Sequence, residues 1–329
     1  MNTQTDNLKR VLTDAVCLGK LENLATLRAE SETHKSYQLG DFDDDQKIRR
    51  SFKVQVGREN YAFLVWRDTG EEVVLQVQGL LMACSLPPVS SRTKFPAHHA
   101  HVIKQSVTIC GDNCKSFGTA LAALRRIHQY IDENFSVGVV RGFKISNSAS
   151  LDTIVAATRV LTPAESKVWS PVEGGPSTDI DPENVLRDLI NTGKYLFTED
   201  NVVAYSEMLP DIVEGTLTAS DANPGIFRPG QLVEMSVNIR ALLMGSMRNV
   251  VLRMDSLTMH DRYGAGLLAD MKLSKRMLVP QESVTTPRKR KVDVSDIIVS
   301  RGVRPRMENM SIGGREGGEG VGESSKMIL

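Results

Sequence analysis

Between Asp6 and Leu27 the apolar residues Leu8, Val11, Leu12, Ala15, Val16, Leu21, Leu24 and Leu27 recur mostly at steps of three or four. That period predicts an amphipathic helix with one face seeking a partner. Gly19 lies inside it, so a break there into two shorter helices fits equally well. After the acidic stretch Asp41–Asp45 come three β-rich runs, RSFKVQV, YAFLVWR and EVVLQVQ, joined by the turn-formers GREN and DTGE. Such spacing predicts an antiparallel meander. The proline-rich stretch 87–101 then reads as a loop, HVIKQSVTI as a strand, and FGTALAALRRIHQYIDEN as a docked helix with Leu121, Leu124, His128 and Ile131 on one face.

Farther along, SVGVVRGFKIS predicts a strand, whereas SLDTIVAATRVL fits strand or helix, its β-branched residues opposing a partial helical period. Residues 166–180 read as a linker. A short helix follows, with Asp181 placed to cap it, Pro182 at its first position and Gly193 at its end. Two strand-like runs flank TEDN (198–201). After the Pro229–Gly230 turn, Val233, Met235, Val237 and Ile239 alternate with Glu234, Ser236, Asn238 and Arg240, the pattern of a half-buried sheet. In the next run Val250, Leu252 and Met254 share a parity that Leu257 and Met259 reverse, so a bulge near Asp255 is required to keep all five inward.

These elements predict an α+β protein. Its expected parts are an N-terminal helical segment (1–40), an α+β domain of meander and docked helix (41–165), the linker (166–180), a small β-rich unit (181–280) and a tail (281–329). A strand, bulge and strand after Pro-Gly suit a small OB-like barrel, with a sandwich as the alternative. The tail, with GGREGGEGVGESS near its end, has too few apolar residues to offset the entropy of ordering it and is expected to be disordered.

Composition changes the picture in three ways. A net charge of zero excludes a protein that coats nucleic acid with its whole surface, so any basic footprint is regional. No apolar run is long enough to span a bilayer and the first residues lack a secretory pattern, so neither membrane insertion nor export is expected. Four scattered cysteines in 329 residues predict free thiols in a reducing compartment.

The sharpest short signal is Arg288, Lys289, Arg290 and Lys291 behind Pro287, a pattern that import receptors bind through acidic and aromatic pockets; a solvated basic run is the plain alternative. Lys272, Lys275 and Arg276 extend the basic excess, and Arg240, Arg248 and Arg253 on the β-rich unit are candidates for phosphate contacts. His98, His99 and His101 ahead of Cys110 and Cys114 are weak zinc candidates, because the spacing matches no known finger. CGDNCKS superficially suggests a phosphate loop, but Cys114 and Ile109 stand where that loop needs glycine. The acidic Asp41–Asp45 lacks calcium-loop spacing, and no nucleophile, base or paired-carboxylate motif is present. Trp66 and Trp169, with Tyr61, Phe63, Tyr195, Phe197 and Tyr205, are candidate stacking surfaces for bases, but they alternate on strands as core residues do, and core packing is the reading for most of them.

GKYLFTEDNVVAYSEML, GQLVE (230–234) and LRMDSLTMHD (252–261) resemble segments of a large set of uncharacterised proteins from mushroom-forming fungi, over roughly residues 190–295. The resemblance implies a shared fold and no activity. Gln231 and the pair Arg253–Met254 depart from its pattern. The resulting expectation is a non-enzymatic nuclear protein, without cofactor, that associates with nucleic acid and with an import receptor through its tail. A protein-interaction or regulatory module, nuclear or cytoplasmic, is the alternative, and a metal-dependent enzyme the third.

Overall fold

The N-terminal helical period divides into α1 (Thr3–Leu12) and α2 (Ala15–Glu30). The break falls at Thr13–Asp14 rather than Gly19, because Asp14 Oδ1 accepts from the amides of Val16 and Cys17, both at 3.0 Å, and caps a new first turn. The computed structural model describes residues 3–31, 37–57, 61–90, 102–148, 150–166, 170–210 and 217–278. The basic run 288–291, the tail beyond 278 and His98, His99 and His101 lie outside them. None of the described helices is long and apolar enough to cross a membrane.

The acidic stretch is not a plain loop. Leu39–Phe42 make a 3₁₀ turn that buries Leu39 and Phe42, and α3 (Asp45–Ser51) starts where Asp44 Oδ1 accepts from the Gln46 amide at 3.0 Å. Strands β1 (Phe52–Val56) and β2 (Ala62–Trp66) pair antiparallel, as expected. The meander stops there. Only a bridge between Val65 and Glu72 continues it, after which β3 (Val74–Ser85) leaves to pair with β4 (Lys104–Cys110). Helix α4 (Lys115–Glu133) follows, burying Phe117, Ala120, Ala123, Ile127 and Ile131. The expected strand at 136–146 is irregular chain with one bridge, Val140 to Arg248, before β5 (Ser146–Ser148). The ambiguous SLDTIVAATRVL becomes a strand, β6 (Leu151–Arg159), whose branched residues lie between two neighbours.

The segment expected as a linker and second unit does not open a separate sheet. After β7 (Thr162–Pro163), which still belongs to the expected first domain, it carries α5 (Val185–Asn191), β8 (Tyr195–Leu196), β9 (Ala204–Pro210) and β10 (Leu217–Asp221), then β11 (Leu232–Met244), β12 (Met247–Asp261) and α6 (Tyr263–Leu278). Strand β11 pairs antiparallel with both β12 and β3, so both expected domains share one sheet, of ten strands among the described residues, within Met1–Leu278. Helix α5 begins three residues later than expected. Asp181 is nevertheless its buried anchor, with Oδ2 accepting from the Arg187 amide at 2.9 Å.

The sheet curls back on itself. Its order β12-β11-β3-β4-β6 returns to β12, where Thr158 Oγ1 donates to the Met254 carbonyl at 2.7 Å and accepts from the Met254 amide at 3.1 Å. Each adjacent pair on the ladder is antiparallel, so β6 and β12 run in the same direction. In chain order these five strands form the ring 1-2-3-5-4. Inside are Leu75, Val77, Val107, Ile109, Val233, Met235, Val237, Ile239, Met254 and Leu257, all at most 2% exposed. The expected bulge is present: Ser236 faces Ser256 and Val237 faces Met254, leaving Asp255 as the extra residue. A second bulge leaves His260 unopposed between Met259 and Asp261.

The sheet is not half-buried there, because Glu234, Asn238 and Arg240 on its polar face are themselves buried. Helix α6 has no counterpart in the sequence reading, and its start is fixed by close approach. A Cβ on Gly264 would lie 2.3 Å from the Gly230 carbonyl oxygen and 2.9 Å from Val11 Cγ1. Gly264→Ala is therefore expected to lower unfolding stability by about 1–3 kcal/mol through overpacking. An unchanged urea midpoint would show that this contact is looser than described.

Candidate functional site

The three arginines expected to meet phosphate are held by the protein itself. Arg240 is 4% exposed, its Nε 2.6 Å from Glu72 Oε1 and its Nη1 2.5 Å from Asp200 Oδ1, with the guanidinium over the Phe63 ring at 5.2 Å. Arg253 Nε lies 2.8 Å from Asp200 Oδ1; the same side chain pairs with Asp255 and donates to the Asp200 carbonyl. Arg248 is buried over Phe135 and donates to the Ala241 carbonyl. A guanidinium already bound bidentately to carboxylates has no fork left for a phosphate. Two cations meet three carboxylates in the Arg240–Arg253 cluster. Burial outweighs the attraction of Arg253 and raises the Asp255 carboxyl above its usual range.

Lys272 is exposed on α6; Lys275 and Arg276 belong to the same helix. Cys110 and Cys114 are drawn into the core, where burial raises both thiols, and Cys114 Sγ donates to Glu22 Oε2 at 3.0 Å. Among the described residues no three His, Cys, Asp or Glu side chains group as metal ligands. The segment that superficially suggested a phosphate loop holds an anion of the protein's own. Glu22, reaching from α2, accepts from the Lys115 amide at 2.9 Å and the Ser116 hydroxyl at 2.6 Å at the start of α4. Burial raises this carboxyl, but the bonds from Ser116, Cys114 and the two amides prevail and lower it.

Farther along the same polar face of β11 lies a second buried polar cluster. Glu234 accepts from Arg28 Nε at 2.9 Å, from Arg28 Nη2 at 3.1 Å and from Gln78 Nε2 at 2.7 Å, and so ties α2 to β3 and β11. Bulged His260 places Nε2 3.8 Å from Glu234 Oε1. Burial alone raises this carboxyl; His260, Arg28 and Gln78 oppose it and bring it down to about 2. These bonds are structural ties that fasten α2 to the sheet.

A groove of about 1010 Å³ opens beside the ring. Its walls are β6, the outer edge of β12, the tip of the β11–β12 hairpin, the chain at 141–146 and one side of α4. The helix face read from sequence turns out to be divided: Leu121 and Leu124 are only partly buried and line this groove. Lys104, Arg141, Lys144 and Arg159 stand in its lining, and no ion pair holds any of them among the described residues. The Asp200 carboxylate in the same lining is already bound by Arg240 and Arg253.

Lys104 and Arg159 are direct partners across the β4–β6 ladder. Like charges placed opposite one another on a sheet cost on the order of 0.2–1 kcal/mol, and an anion between them removes that cost. None of these four residues stood out in the sequence, because Lys104 and Arg159 are lone cations in their strands and Arg141 and Lys144 share a short stretch with no basic run. The signal lay in register: Lys104 opens β4 and Arg159 closes β6, and only the antiparallel pairing of the two strands brings them together. No protein-family model, no curated protein and no solved structure matches this chain.

The Glu234 geometry sets a pH dependence. Its carboxyl falls from an ordinary 4.5 to about 2 in the fold, so its contribution is full above pH 4.5 and is lost as pH drops toward 2. The stability difference between the native chain and Glu234→Gln, measured by urea unfolding, is expected to shrink by about 2–3 kcal/mol over that interval. A difference independent of pH would show that the carboxylate is not favoured by folding.

Proposed function

We propose that this protein binds single-stranded nucleic acid in the groove between β6 and β12. The observation that carries the reading is a set of four cations that no ion pair holds among the described residues, two of them juxtaposed across a ladder, around a groove whose described lining has one carboxylate, Asp200, already bound by Arg240 and Arg253. The ring order 1-2-3-5-4 with its parallel 3–5 contact is the connectivity of an OB barrel, a scaffold that presents such surfaces to oligonucleotides. Fold alone does not assign function, so the cations bear the argument. Neutralising four phosphates on a single strand gives a slope of about −3 in log K against log salt.

The test is anisotropy of a labelled oligodeoxythymidine with the full chain across a salt series. Replacing both Lys104 and Arg159 by Ala is expected to weaken binding and to reduce the slope by about 1.4. Tight binding with an unaltered slope in that double variant would place the strand elsewhere.

The same reading assigns the basic run Arg288–Lys291 to nuclear import, on its charge and on Pro287 ahead of it. Changing all four residues to Ala is expected to move a fluorescent fusion from nucleus to cytoplasm. Unchanged nuclear accumulation would reject the assignment.

A further inference from the structure

The groove contains two strand edges that face one another without pairing. Along β12 the outward main-chain groups are fixed at both ends. Arg248 donates its amide to the Val139 carbonyl at 2.7 Å and accepts from the Arg141 amide at 2.9 Å, while Met254 exchanges both its groups with Thr158 Oγ1. Main-chain direction alternates along a strand, so the residues between them that point the same way are Val250 and Leu252. On β6 the Arg159 carbonyl accepts from Asn201 Nδ2 at 3.1 Å, and the same alternation turns Val155 and Ala157 outward. All four line the groove, and none has a main-chain ladder partner on that side among the described residues. Four amides and four carbonyls are therefore presented to whatever enters.

Unpaired edges usually invite another strand. Here the slot is closed lengthwise, by the Thr158–Met254 contact at one end and by the chain at 139–141 on Arg248 at the other. The β12 residues left between, 249–253, span about 16 Å. Lys104 and Arg159 stand beside the Thr158–Met254 end and Arg141 beside the other, with Lys144 in the same lining, so the cations run from one end of the slot to the other. An occupant that follows the cations and sends flat groups sideways into the slot fits this shape; a polypeptide laid end to end does not. Nucleobases meet both requirements, since each carries donors and acceptors along one edge and hangs from an anionic backbone.

We propose that the open edges of β6 and β12 recognise the bases of a bound single strand through the main-chain groups of Val155, Ala157, Val250 and Leu252. The proposal rests on the nucleic-acid reading of the groove and deepens it from phosphate contact to base contact. Recognition by main chain tolerates any side chain that keeps the strands in place.

The experiment compares an oligodeoxythymidine with an abasic strand of equal length on the full chain, with affinity measured across a salt series and amide hydrogen exchange followed at residues 155, 157, 250 and 252. The expected result is at least roughly tenfold weaker binding of the abasic strand, about 1.4 kcal/mol, at an unchanged salt slope, with slowed exchange at the four amides only under the base-bearing strand. Equal affinity for both strands overturns base recognition and leaves phosphate binding standing. Failure of both strands to bind overturns the underlying reading as well. Polyglutamate slowing the same four amides as strongly assigns the slot to acidic polypeptide and also overturns the proposal.

Discussion

The β11–β12 ladder extends over thirteen residue pairs, and a two-stranded ribbon of that length coils strongly. Both edges of this ribbon are used more than once. On one side β11 pairs with β3 along its first half and with β2 at Arg240–Ala241. On the other, β12 meets β9 at residues 256–259, Thr158 of β6 at Met254 and the 139–141 segment at Arg248. A straight ribbon has one set of neighbours. The bulges at Asp255 and His260 add local twist and re-aim the edge, and thereby allow a ring to close on one length while a second set of strands continues from another.

The bulges also explain where the buried charge lies. An extra residue in one strand has no cross-strand partner, so its side chain is free to turn toward the polar face. Asp255 joins Arg253 and Asn238, and His260 approaches Glu234. Two polar clusters result, one stitching the ring to Glu72 and Asp200 and the other fastening α2 to the sheet. Removing one member of a buried pair is costly because the other charge stays unpaired, so these clusters hold the register more strictly than apolar contacts would.

Local pattern made much of this legible. The alternation in 233–239, the parity reversal at Asp255 and the periodicity of α4 are visible because each arises from neighbours in sequence. What was hidden depends on neighbours in space. Nothing in EVVLQVQ says that β3 will leave its hairpin for β11, and the lone cations Lys104 and Arg159 acquire meaning only through the β4–β6 register. Arg240 and Arg253 misled for the same reason: an arginine on the polar face of an amphipathic strand reads as exposed until a carboxylate such as Glu72, from a distant segment, covers it.

The bond between Glu22 and the first turn of α4 makes the N-terminal helices part of the catalogue of anions this fold has to consider. A carboxylate fixed on α2 acts at a high effective concentration, so a free phosphate reaching the Lys115 and Ser116 amides must first displace a tethered competitor. The helix dipole that elsewhere captures nucleotides is spent here on fastening α2 to α4. In the groove, by contrast, the positive charge of Lys104, Arg141, Lys144 and Arg159 comes from side chains that no ion pair holds among the described residues.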